Sequence, residues 1–463
     1  MNEKKELFES TPVPKALATL AIPTIISSLI SMIYNLADTF FIGQTDDPYK
    51  VAATSVSFVL LFLMNALASL FGMGGGSLIS RLLGRQEGPE ARKVSAFSFY
   101  GTILVTLLYS VCVYIFMNPL LRFIGASDNT IGYAADYTFW VVVVGGIPSA
   151  LSMTMAHMLR STGYAKQASF GLGMGGVLNI VFDPLFMFVL LEPGQEVAGV
   201  AIATALASVC TTIYLLITIL RLRNKTVLSL SPRMILPGMK YIGEIFSVGF
   251  PSAVATILAC LSNITVNNLV SSYGDIPVAA LGIVKKIDML PMNVGMGLCQ
   301  GMMPLVAYNY ASGDYERMHS AAKWARIIGM TFAGLCIVAF QIFAEGTVRL
   351  FIKDEQTFTM GTTFLRICCL ATPLMISNFQ MNFTFQAMGK GRQSLILSAC
   401  RQGLVNIPLL FLMNALFGLY GVVWTQLLSD GITLVLSFIL YQKLLKSLRE
   451  LEAESQHGGP ALP

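Results

Sequence analysis

The sequence predicts an all-α polytopic membrane protein: twelve transmembrane helices in two six-helix halves, related by a pseudo-two-fold axis along the membrane normal. Three observations predict it. Of 463 residues, 55% are hydrophobic and only 12% are charged, against about 25% charged in soluble proteins. The apolar residues gather in runs of about 20 or more, enough to cross roughly 30 Å of hydrocarbon. The second half of the chain repeats polar and proline landmarks of the first, in the same order.

The first half holds apolar runs at 16–42, 51–80, 94–117, 131–157, 168–191 and 197–220. The second holds 245–272, 276–310, 327–345, 360–386, 394–417 and 421–442. The first run is too long for a signal-peptide core and lacks a small-residue cleavage site, so it is expected to stay as span one. Basic residues orient the rest. Of 30 Lys and Arg, 22 fall on the side of the two termini, among them Arg81, Arg85, Arg92, Lys93, Arg221, Arg223 and Lys225. Four fall on the other side (Lys50, Arg122, Arg349, Lys353), and four lie within spans (Lys285, Lys286, Arg366, Arg401). Positive charge is retained in the cytoplasm, so both termini are expected there. The expected division is a tail at 1–15, a first half at 16–220, a linker at 221–244, a second half at 245–443 and a tail at 444–463. Its last stretch, "ESQHGGPALP" (454–463), reads as disordered. The eight cysteines fall in spans and read as small buried hydrophobes.

The repeat aligns Pro23 with Pro251, Asn35 with Asn263 and "VAATSV" (51–56) with "VAALGI" (278–283). Further on, "GGIPSA" (145–150) meets "LATPLM" (370–375), and "GVAIAT" (199–204) meets "GVVWTQ" (421–426). Six spans per half is an even number, so the halves share one topology. Parallel repeats of this kind are a transporter architecture. In this register Asp38 falls opposite Val266, so the acid belongs to the first half alone.

Asp38 stands in "NLADTFFIG" (35–43), inside span one. A carboxylate at membrane depth costs roughly 2.5–3.5 kcal/mol or more. Ser27, Ser31, Tyr34, Asn35, Asp38 and Thr39 share one helix face, which must look at other helices or at water. At about 1.5 Å per residue Asp38 lies roughly 33 Å from Ala16, toward the outer leaflet. Span five answers with "NIVFDP" (179–184), where Asn179 and Asp183 are one turn apart and Pro184 is expected to break the helix. Span six begins with "GVAIAT", placing Thr204 at similar depth. Two facing carboxylates in a low dielectric cannot both ionise cheaply, so the pair would hold a proton or a hard cation such as Na⁺. The alternative is two separate protonated packing residues, each bonded within its own helix.

These motifs, with "MPLVAYNYASGDYERM" (303–318) at the end of span eight, resemble the multidrug and toxic compound extrusion (MATE) transporters over about 15–445. The resemblance implies export of bulky, often cationic amphiphiles across the bacterial inner membrane, driven by re-entering H⁺ or Na⁺. It implies no cofactor, no nucleotide and a cation site at Asp38, Asn179, Asp183 and Thr204. Some members carry a second-half Na⁺ site with acids in spans seven and ten; this chain has none there after Glu244.

Other motifs carry less. "GLGMGG" (171–176) satisfies G-x-G-x-x-G, but it lies inside a span with no preceding strand and reads as close helix packing. Neither "FGMGGGSLIS" (71–80) nor "GKGRQS" (389–394) has the Walker A spacing. No protease motif appears, so an enzyme is not expected. In "IVKKIDML" (283–290), Lys285 and Asp288 are three apart and are expected to pair, with a coupling or substrate role as the alternative. Asp430 either lines a second-half cavity or bonds neighbouring backbone. Tyr34, Asn35, Met64, Met153, Met289, Met292 and Phe385 are candidates for an adaptable substrate cavity. The expected partners are amphiphilic small molecules and membrane lipids, not nucleic acid, and the expected state is a monomer. The rival reading is a lipid-linked oligosaccharide flippase of the same superfamily, which would use Lys285, Lys286, Arg366 and Arg401 for phosphates.

Overall fold

The computed structural model describes residues 2–45 and 47–456, and among these the regular structure is helical. Spans one to three are Val13–Gly43, Pro48–Gly84 and Gly88–Ile115. Span four is Ile131–Val144 with Gly146–Ser161, and spans five and six are Ala165–Leu190 and Glu196–Arg221. The second half follows with Ile242–Ser271, Asp275–Ser312, Tyr315–Arg349 and Glu355–Ala387. One continuous helical stretch then breaks at Gly418 (φ 60°, ψ −142°), giving spans eleven (391–417) and twelve (from 419). The helix continues to Gln456, past the expected start of the disordered tail; 457–463 lie outside the described residues.

Most helices outrun their apolar runs, because hydrogen bonding rather than apolarity ends a helix. Three aspartates set helix starts by accepting backbone N–H groups: Asp47 from Tyr49, Asp314 from Arg317 and Asp354 from Thr357, each at 2.9 Å. Span nine therefore starts at Tyr315, twelve residues before its apolar run.

Spans four and ten are broken at repeat-related places. Span four winds as a π-helix over Phe139–Val144 and bends by 47° before Pro148. Span ten tightens into a 3₁₀ turn at Cys369–Ala371 before Pro373. Each proline removes the N–H that would bond the carbonyl four residues back, Val144 or Cys369.

The halves cross-pair: span one packs on span eight, and span two on span seven. A two-fold axis that carries span one onto seven also carries eight onto two, so the two contacts are one contact repeated. Both are backbone-close. Gly297 and Gly301 of span eight lie on Ile25 and Ala21; a Cβ on Gly297 would stand 2.7 Å from the Ile25 Cα. Gly74 and Gly249 meet Ile245 and Leu70 in the same way.

All these contacts lie at the end of the bundle that carries the termini. Among the described residues the same holds for the polar links between halves. Ser77 Oγ donates to the Gln386 carbonyl (2.6 Å), Arg160 reaches Gln300 (3.2 Å) and Arg81 reaches Glu244 (3.7 Å). A helix at Asn2–Glu9 seals this end, with Phe8 stacked on Tyr308 at 4.9 Å and Arg317 donating to the carbonyls of Leu7, Phe8 and Thr11. At the opposite end Phe40, Asn267, Asn268 and Lys286 are exposed, and no hydrogen bond or ion pair among the described residues joins the halves there.

Gly301→Leu would force a branched side chain into the Ala21 backbone. The expected cost is about 1–3 kcal/mol, seen as a lower thermal midpoint of the purified protein. Gly43→Leu, where nothing lies within 4 Å, should leave it unchanged.

Candidate functional site

The glycines of "GLGMGG" set where span five can sit. Gly175 faces the Thr211 hydroxyl of span six with no room for a Cβ, and Gly176 lies against span one, where a Cβ would stand 2.8 Å from Ile30 Cγ2 and 3.1 Å from Tyr34 Cδ1. The stripe wedges span five between spans one and six, the packing role expected of it. The next turns of the same helix then carry Asn179 and Asp183 toward Asp38 and Thr204.

Asn179 Nδ2 donates to Asp183 Oδ1 (3.3 Å) and to Thr204 Oγ1 (3.1 Å). Asp38 of span one stands within hydrogen-bonding reach of Asp183. Relative exposures are 5% for Asp38, 2% for Asn179 and 0% for Asp183. Three oxygens of this cluster are buried without a hydrogen-bond partner: Asp38 Oδ1, Asp183 Oδ2 and Asn179 Oδ1. A buried polar atom without a partner costs about 1–3 kcal/mol, more if charged. One proton between the carboxyls satisfies part of the set. A hard cation among the oxygens satisfies it together, since oxygen donors suit such ions.

Tyr137 of span four, 2% exposed, lies near enough for the charges of Asp38 and Asp183 to bear on it, though no hydrogen bond joins them. Sequence reasoning missed it, because a tyrosine in an apolar run reads as packing. Its only mark is its place just before the π-helical break. A cavity of about 100 Å³ adjoins the cluster, lined by Ser31, Tyr34, Ser149, Asn179, Thr204 and Thr211. That is room for about three waters.

Some expectations are corrected. Pro184 does not end span five: the helix passes through it to Leu185 and continues as a π-helix to Leu190. The missing N–H still leaves the Ile180 carbonyl without its helical donor. Asn35 and Thr39 bond back within span one, to the carbonyls of Ser31 (2.7 Å) and Asn35 (3.0 Å).

The second half holds a larger cavity of about 400 Å³. Met289, Met292 and Asp430 line it. Asp430 accepts from Arg401 Nε (2.6 Å) and Gln426 Nε2 (2.8 Å), while its backbone carbonyl takes Asn378 (2.9 Å). Lys285 and Asp288 line the cavity but do not pair. Lys285 Nζ donates instead to Asn267 Oδ1 of span seven (2.9 Å), and Asp288 Oδ1 is buried and partnerless. Met64 and Phe385, both 0% exposed, are packed into the cores, and like the half-buried Met153 they line neither of these two cavities.

The MatE family model matches residues 23–185 and 251–412, one match in each half. The chain is 30% identical over 457 residues to the multidrug export protein MepA of Staphylococcus aureus (strain MRSA252), covering 97% of this chain and 99% of that one. It is 30% identical over 459 residues to the protein of the same name from Staphylococcus saprophyticus, covering 99% and 100%. Among solved structures, a MATE in complex with MaL6 matches with a TM-score of 0.90 at 23% identity, over 96% of this chain and 99% of that one. The outward-facing conformation of a multidrug resistance MATE transporter matches at 0.87 and 24%, over 96% and 98%. At these identities the structural likeness establishes the fold.

If the oxygen cluster holds a cation, loading it should stabilise the folded chain by mass action. With pH and Na⁺ varied separately, the thermal midpoint of the wild type should rise on acidification, on Na⁺ addition, or on both. Asp183→Asn should respond to neither.

Proposed function

The chain belongs to the MATE family, and on that premise we propose that it is a multidrug efflux transporter, exporting amphiphilic, often cationic compounds in exchange for H⁺ or Na⁺. The observation that carries the exchange is the buried trio of partnerless oxygens on Asp38, Asp183 and Asn179. A multidrug exporter without a nucleotide motif needs an ion gradient, and this cluster is a place to receive the ion. Asp38, Asn179, Asp183 and Thr204 hold it, with Tyr137 and Tyr34 beside them.

On this reading the chain works as a monomer in the bacterial inner membrane, and the distribution of basic residues supports both termini in the cytoplasm. The bundle is then closed toward the cytoplasm and open outward. In this state the first-half site faces the side from which the ion arrives. Loading it changes the packing of spans one, five and six and favours release of substrate outward. Return of the halves to a cytoplasm-open state carries the ion in, and one charge crossing 100 mV supplies about 2.3 kcal/mol. The chain needs no cofactor for this cycle and is a transporter, not an enzyme.

The flippase reading loses two of the four cations it needs. Arg401 is neutralised by Asp430, and Arg366 is exposed and joined to Glu345 at 3.3 Å.

Ethidium efflux from cells lacking their own pumps tests the proposal, at equal membrane expression of each variant. Asp38→Asn is expected to abolish efflux while ethidium binding persists. Collapsing the proton and Na⁺ gradients separately then names the ion. Full efflux in Asp38→Asn would make the acid a protonated packing residue, and no efflux in the wild type would defeat drug export.

A further inference from the structure

The repeat permits a comparison inside the chain. Its landmarks carry Asn35 onto Asn263, Asp38 onto Val266 and Thr204 onto Gln426. All three second-half residues line the 400 Å³ cavity. That cavity is therefore the second-half counterpart of the acid cluster, with different chemistry.

One pair of charges in it is neutral by itself. Asp430 is held by Arg401 and Gln426, and the Arg401 guanidinium lies 4.5 Å from the Phe379 ring centroid. Three groups remain without a partner of opposite charge, Lys285, Asp288 and the exposed Lys286, and the first two are the more buried. Lys285 is bonded to a neutral amide oxygen, and Asp288 has a buried carboxyl oxygen with no partner. They lie on one face of span eight, three residues apart, which spaces their Cβ atoms by about 5–6 Å. Yet no ion pair joins them, because Asn267 draws the lysine toward span seven. Lys286 is exposed at the same cavity.

We propose that this cavity is a substrate site for a zwitterionic amphiphile. Its anionic group meets Lys285, its cationic group meets Asp288, and its apolar body lies on Met289, Met292 and Leu281. A ligand with a single charge satisfies one of the two groups and faces repulsion from the other. A ligand with both satisfies each and leaves the Arg401–Asp430 pair intact. The volume is within the roughly 300–1,000 Å³ of small-molecule sites. The division of labour follows from the duplication: one half holds the coupling ion, the other reads the cargo. This proposal rests on the export reading above.

The test uses two dyes that differ by one charge, rhodamine 19 (free carboxylate, a zwitterion) and its ethyl ester rhodamine 6G (a cation). Binding to the purified full chain in maltoside is read by fluorescence anisotropy, and export of both dyes is read in cells. The wild type is expected to bind rhodamine 19 about tenfold more tightly, the size of one charge-assisted hydrogen bond. Lys285→Met should raise the Kd for rhodamine 19 about tenfold and erase the preference. Lys285→Arg should restore it, and Asp288→Asn should weaken both dyes. A wild type that binds the two dyes equally, or a preference that survives Lys285→Met, overturns the proposal. If binding behaves as expected but neither dye is exported, the export reading fails and the site stands. A zwitterionic lipid headgroup offers the same chemistry. Displacement of rhodamine 19 from the wild type by diheptanoyl phosphatidylcholine would support the site as one for lipid, and its failure to displace would support it as one for soluble amphiphiles.

Discussion

A carboxylate enclosed by helices and hydrocarbon must find a proton, a cation or a donor, and the first half is arranged round two such groups. Their meeting depends on how close span five comes to its neighbours. Gly175 and Gly176 remove the side chains that would hold it away from Thr211 and Ile30. Asn179 then ties Asp183 to Thr204, and Asp183 meets Asp38. The cluster is not a satisfied structural network, since three of its oxygens have no partner. A network kept only for rigidity would have closed on itself. Incomplete satisfaction in a place this buried leaves room for the proton or cation of the proposed exchange.

The duplicated architecture bears on how the proposed exchange would move the halves. Because the inter-half contact is one arrangement used twice, span one on eight and span two on seven, the halves meet over two backbone-close seams at a single end. Glycines at the seams make the fit tight but confine it to a short stretch of each helix. Beyond it the halves share no hydrogen bond or ion pair among the described residues. In the proposed cycle this short seam would be exchanged for one at the other end while each half keeps its fold.

How far the sequence discloses this depends on the type of residue. Twelve spans and the two-fold repeat are legible because bilayer thickness imposes run length, and polar or proline landmarks recur in order. Asp38 and Asp183 are legible because a charge inside an apolar run is costly wherever it occurs. Tyr137 is not, because its role lies in which helix it faces rather than in its own chemistry. The Lys285–Asp288 pair was misread for a related reason. The i,i+3 rule describes side chains free to choose each other on a solvated helix, whereas here Asn267 of span seven competes for the lysine. The Arg401–Asp430 bond spans two helices and 29 residues, beyond any local pattern.

Span one joins the two parts of the argument. Its upper half carries Asp38 into the acid cluster, and its lower half carries Ala21 and Ile25 into the seam against Gly301 and Gly297. From Asp38 to Ala21 is about 26 Å along a helix. Between them stands Pro23, which lacks the N–H that would bond the Thr19 carbonyl. A helix with one hydrogen bond missing bends there more readily than elsewhere. A change in how Asp38 packs against span five therefore need not travel through side-chain contacts across the bundle. It can tilt one helix about one weak point and alter the fit at the seam. The same proline recurs in span seven as Pro251, two residues from Gly249 on the second seam. The second half thus keeps the hinge but has Val266 where the acid stands. In the proposed cycle it is this acid that would make the first half the one that responds to the ion.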